Sequence, residues 1–208
     1  MPTLALPALP AQAERLIELG IPGVANIPAD TLRAFAAHTG SDGLLTIHPD
    51  RAPASVLAPL LRHEGKRGFV VTDLPDVDRF TPADLELPES ALYVVTALDR
   101  GDHLANWSPA EALPELSRAG RTPLLLTEGI HWVLQQPAAL ERDRCFMTIG
   151  SRLRKENGTF DARTPALWIS NGTGRDGPER RNAPKVGWCW WGNRHPWLGF
   201  GSAVDRLV

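Results

Sequence analysis

Asn182-Ala183-Pro184-Lys185-Val186-Gly187-Trp188-Cys189-Trp190-Trp191-Gly192-Asn193-Arg194-His195-Pro196-Trp197-Leu198-Gly199-Phe200 decides how the rest of this chain is read. It holds four of the seven tryptophans and one of the two cysteines. Each aromatic side chain covers about 150–250 Å², so a run this rich in indoles is either buried or bound to something. Residues 186–191 and 197–201 read as two strands. Gly192 and Asn193 are turn residues between them, and Pro196 holds His195 extended. Alternation along the first strand puts Trp188 and Trp190 on one face and Cys189 with Trp191 on the other.

Working outward, residues 145–149 and 166–170 are further short strands, giving a small antiparallel sheet rich in Trp. Ahead of it stands a helical pair. Ser108-Pro109-Ala110-Glu111 is a capping box with proline at the first helical position, and Gly120 is the stop. The second helix spans 122–135, with Leu126, Ile130, Val133 and Leu134 as its buried face, and Pro137 ends it. Earlier still come helices at 11–19, at 30–38 (capped by Asp30) and at 53–63, the last weakened by Pro59. Strands are expected at 43–48, 68–72 and 91–98. Residues 73–90, with Pro75, Pro82 and Pro88 among several acids, read as an exposed excursion. The fold class is α+β. Residues 1–10 are expected to be a disordered start, 11–105 a mixed α/β part, and 106–208 the helical pair plus the Trp-rich sheet. The last two are able to form one compact domain.

Composition is that of an ordinary globular protein, with 43% hydrophobic and 22% charged residues. Two cysteines build no disulfide framework, and free thiols in a reducing compartment are expected. Residues 1–10 lack a basic leader and carry Pro2, Pro7 and Pro10. No apolar run reaches the roughly 18 residues a membrane span needs. The expectation is a cytoplasmic protein without a membrane partner. Net charge is −2, which weighs against nucleic acid, but from Arg144 onward 11 basic residues face 5 acidic ones, a local +6. Such asymmetry marks either an anion-binding half or two halves that complement each other across an internal interface.

Gly172-Thr173-Gly174-Arg175-Asp176-Gly177 matches the Gly-x-Gly-x-x-Gly pattern. Pro178 and Pro184 forbid the long helix that a dinucleotide site requires, so no such cofactor is expected. Cys145, Cys189, His131 and His195 lack the short spacings of a zinc set, and no metal is expected. Cys189 and His195 are the candidate nucleophile and base, if a hairpin brings them together and a nearby cation activates the thiol. The candidate ligand-binding residues are Arg175, Arg180, Arg181, Lys185, Arg194 and His195, with Trp188, Trp190 and Trp191 as a stacking surface. The leading expectation is a small anionic or aromatic ligand, with an enzymatic role left open and no reaction named. The alternative is a Trp surface that docks a protein partner.

Three runs carry a family likeness: Arg144-Cys145-Phe146-Met147 with Gly150-Ser151-Arg152; Thr164-Pro165-Ala166-Leu167-Trp168-Ile169-Ser170; and Ala183-Pro184-Lys185-Val186-Gly187-Trp188-Cys189-Trp190-Trp191-Gly192-Asn193. With Thr122-Pro123-Leu124 and Glu128-Gly129, they resemble an uncharacterised bacterial family known only by a domain-of-unknown-function label. The likeness covers roughly residues 105–203. It implies membership and brings no activity with it.

Overall fold

In a computed structural model, residues 5–40 and 42–208 are described. The helices are α1 (Leu9–Glu18), α2 (Ile21–Ala25), α3 (Ala29–His38), α4 (Ala54–Leu57), α5 (Pro109–Arg118) and α6 (Leu126–Gln135). The strands are β1 (Leu44–Ile47), β2 (Arg62–His63), β3 (Lys66–Arg67), β4 (Phe69–Val70), β5 (Thr81–Pro82), β6 (Leu92–Val95), β7 (Thr122–Pro123), β8 (Cys145–Met147), β9 (Ser151–Arg152), β10 (Arg163–Ile169), β11 (Pro184–Trp190), β12 (Leu198–Phe200), β13 (Ser202–Ala203) and β14 (Arg206–Leu207). This is an α+β fold, with antiparallel and mixed sheets.

Helix α6 is the centre of the molecule. All ten of its residues are buried, because it lies between two sheets. One is the three-stranded antiparallel sheet β1-β6-β14; the other is the five-stranded sheet β12-β8-β10-β11-β4. Gly129 is what lets the helix come close to the larger sheet. A Cβ there would meet Thr148, Leu167 and Phe146. On the other side His131 stands against β1, its Nε2 accepting from the Ile47 N–H at 3.4 Å while Nδ1 donates to the Thr127 carbonyl at 2.8 Å. Burial pushes the His131 pKa down to about 4, so the ring is held neutral.

Glu128, one turn before His131, is completely buried and paired with Arg206 of β14. Two guanidinium nitrogens reach its carboxylate at 2.6 and 2.7 Å. Tyr93 Oη and the Leu125 N–H also donate to it. Arg206 spends its remaining donors on Thr122 Oγ1 and the Pro123 carbonyl. Every partner of this buried charge is therefore supplied by the protein, the condition under which such a pair is tolerated.

Several elements differ from the sequence expectation. The stretch 122–135 is not one helix. Thr122 and Pro123 are extended and pair with β13, and the helix begins only at Leu126. The helix expected over 53–63 stops at Leu57. After one 3₁₀ turn the chain makes the β2–β3 hairpin through Glu64 and Gly65, both at positive φ. Residues 73–90 are not wholly exposed: Leu74, Val77 and Phe80 are core, and β5 pairs with β9. Of the expected disordered start, residues 1–4 lie outside the described residues, while Leu9 is buried and opens α1. Gln136 donates to the Ala5 carbonyl, and Gln12 stitches the Pro7 and Gly43 carbonyls and the Leu45 N–H together.

Strands cross the 105/106 boundary in both directions. β4 comes from the N-terminal side and completes the large sheet, and β14 comes from the C-terminal side and completes the small one. Neither segment completes the three-stranded or the five-stranded sheet alone.

Candidate functional site

The strand order of the large sheet makes the site. β10 pairs antiparallel with β8 and β11, while β12 and β4 flank them in parallel. β11 and β12 therefore do not form the hairpin expected from their sequence; β12 crosses over and pairs with β8 instead. Register and alternation place Phe146, Leu167 and Val186 on the α6 face. Cys145, Trp168, Gly187, Cys189, Leu198 and Phe200 point the other way. On that second face α5 and Leu104 cover part of the surface, packing against Met147, Ala166 and Phe200. The part they leave bare is the floor of a pocket of about 420 Å³.

Three tryptophans line this pocket: Trp168, Trp188 and Trp197. Trp168 of β10 lies across β11 at Gly187, where any Cβ would run into its ring. Glycine at 187 is thus required by the close approach of an indole, not by a turn. Lys185 Nζ sits 4.7 Å from the Trp168 ring centroid and 2.7 Å from Asp176 Oδ2. Asp176 in turn accepts from Ser170 Oγ at 2.7 Å. The loop after β11 is fastened to the start of α5 by the Ala110 N–H to the Trp191 carbonyl and the Asn106 N–H to the His195 carbonyl. That loop carries His195 stacked on Trp197, centroids 4.6 Å apart and planes within 15°. Trp197 remains 51% exposed, its indole being part of the rim.

Of the expected site residues, Trp188, Cys189 and His195 do line one pocket. Trp190 stacks edge-on against Trp188 at 4.5 Å and stands 46% exposed outside it. Trp191 faces the same way as Cys189, as alternation predicts, but its ring is covered by the Arg152 guanidinium at 3.7 Å. The basic residues are not gathered there. Arg175 pairs with Asp73, Arg194 with Glu111, and Lys185 with Asp176. Arg180 lies over the Phe69 ring at 4.4 Å, and Arg181 is exposed and outside the pocket. Two of these ion pairs, those of Arg175 and Arg194, join the basic C-terminal half to acids before residue 144.

The thiols are poorly suited to nucleophilic work. Burial pushes Cys145 up to about 12 and also raises Cys189, so both are protonated at neutral pH. Both are free cysteines. The imagined zinc set is split, since His131 belongs to the α6 core. Among the described residues no group of three or more His, Cys, Asp or Glu side chains is placed to hold a metal ion. Gly172, Gly174 and Gly177 all have positive φ, but only three-residue 3₁₀ turns follow them.

Sequence reasoning missed Trp168, Trp197, Asp143, Arg144 and Asn171 as pocket residues. Trp168 carried one usable signal. It stands on a strand opposite a Lys-Val-Gly run, and a glycine amid β-branched and aromatic neighbours marks a close approach.

Fold and site together define an α+β protein whose mixed sheet bears an indole-walled pocket on the face that α5 leaves bare. The chain belongs to a family of unknown function (DUF5701), whose model matches residues 15–208. No curated protein and no solved structure matches it. Among the described residues no helix is long and apolar enough to cross a membrane.

Proposed function

We propose that this chain binds a small aromatic molecule in the pocket between Trp168 and Trp197. The observation that carries the reading is Trp168 laid over Gly187. The sheet gives up a side chain at that point and an indole forms the floor of a cavity whose size, about 420 Å³, suits a small ligand. Asn171 and His195 supply hydrogen-bonding groups at its wall. Aromatic chemistry is favoured over anionic chemistry because four of the five expected cations are engaged by Asp73, Asp176, Glu111 and Phe69, and the fifth, Arg181, lies outside the pocket.

Ligand-observed NMR with indole and adenine tests this. At least one probe is expected to show transfer from the protein. Trp197→Ala should weaken it about three- to tenfold, the worth of one aromatic contact, while the melting temperature stays nearly constant. Absence of transfer from any planar probe, or affinity indifferent to Trp197, would refute the reading. Sensitivity to Trp190→Ala instead would favour the alternative, an exposed Trp surface that docks a protein partner.

A further inference from the structure

We infer that the pocket selects a small organic cation, an aromatic or alkylated ammonium, over neutral and anionic molecules of the same shape; this rests on the pocket being the ligand site proposed above. Among the described residues Arg144 is the one guanidinium on the pocket wall. It is held by Asp102 at 3.9 Å and Glu141 at 3.7 Å, and the same two carboxylates hold the buried Arg100 at 3.5 and 3.0 Å. Two guanidiniums and two carboxylates make a neutral quartet. Lys185, beside the floor, is cancelled by Asp176 at 2.7 Å. What is left over is Asp143, which lines the pocket and has no ion-pair or hydrogen-bond partner among the described residues.

The walls add to that excess. An indole presents the negative face of its quadrupole, so Trp168 and Trp197 repel an anion and attract a cation, while Trp188 turns its ring toward the α6 side of the sheet with Val186. This face of the sheet already uses tryptophan in that way twice. Lys185 Nζ lies 4.7 Å from the Trp168 centroid, and the Arg152 guanidinium lies 3.7 Å from that of Trp191. A planar cation entering between Trp168 and Trp197 would meet the same environment, with Asp143 as its counter-charge. A neutral ring would gain the stacking alone. A carboxylate would gain the stacking against both the ring faces and Asp143.

Three molecules with one ring and three charges separate these cases: 1-methylnicotinamide (cation), nicotinamide (neutral) and nicotinate (anion). Dissociation constants are measured by ligand-observed NMR at constant ionic strength on the full chain. The cation is expected to bind about tenfold more tightly than nicotinamide, the upper range of a cation–π contact with a nearby carboxylate, and nicotinate most weakly. Asp143→Asn should reduce the preference for the cation over nicotinamide severalfold. Asparagine suits the positive φ of 59° at this position, so the variant is expected to fold, which its melting curve checks. Equal binding of cation and neutral molecule, or a preference that survives Asp143→Asn, overturns the inference and leaves the aromatic pocket standing. Nicotinate binding most tightly overturns it in favour of an anion site. Binding by none of the three, nor by indole or adenine, removes the pocket reading and this inference together.

Discussion

Replacing Arg206 by methionine leaves the Glu128 carboxylate in the core without its counter-charge. The side chains of this pair are 5% and 0% exposed, so the loss cannot be made good by water. The variant also removes donors from Thr122 Oγ1 and the Pro123 carbonyl. Breaking a buried pair from one side costs about 3–5 kcal/mol, against about 0–1 kcal/mol for an exposed pair. For a chain of this length each kcal/mol moves the melting temperature by about 2–4 °C, so Arg206→Met should lower it by about 6–20 °C. Thermal melts followed by circular dichroism, with urea unfolding alongside, measure this. Arg206→Met combined with Glu128→Gln buries no charge, and the amide oxygen still accepts from Leu125 N–H. The double variant should therefore recover at least half of the loss. A single variant that costs less than about 1 kcal/mol, or a double variant worse than the single, would refute the account of this pair as a charge locked inside the core.

His131 makes stability depend on pH. Its folded pKa is about 4, below its ordinary value of 6.5, so between those values the unfolded chain binds the extra proton. Stability should be whole above about pH 6.5 and fall by about 3 kcal/mol as pH drops to 4. His131→Gln should flatten that slope in urea titrations at pH 6.5, 5 and 4, whatever its own baseline. Asp76, held low by the Arg163 guanidinium, contributes only below this window. A third prediction concerns Gly187→Ala. The new methyl group must displace the Trp168 ring, so the variant should lose about 1–3 kcal/mol and shift its tryptophan emission, whereas Gly192→Ala, with open space around it, should do neither.

Local rules found what local forces build. The Ser108–Glu111 pairing starts α5, with the Ser108 N–H donating to the Glu111 carboxylate at 2.9 Å. Leu44–Ile47, Leu92–Val95 and Pro184–Trp190 all fall where β-branched and aromatic runs had placed strands. The failures lie where distant partners decide. Thr122-Pro123 reads as a helix start because proline suits a first helical turn, yet Ser202 and Ala203 capture it as an edge strand. Nothing near β11 announces that its second neighbour is β4 rather than β12. The pocket was half legible for the same reason. Trp188, Cys189, His195 and Trp197 share one short segment, but Trp168 joins them only through the strand order. The arginines misled because their carboxylate partners lie far away in sequence: Asp73 for Arg175 and Glu111 for Arg194.

The Glu128–Arg206 pair also bears on how the protein comes off the ribosome. The two residues are 78 positions apart. At about 5–20 residues per second, about 4–16 s pass between the addition of Glu128 and the addition of Arg206. Through that interval the central helix has a carboxylate and no cation to bury with it. At its start the small sheet lacks β14, and the large one lacks β8, β10, β11 and β12. Synthesis thus runs well ahead of any core that can close. The growing chain carries its central helix without the small sheet's third strand until β14 arrives.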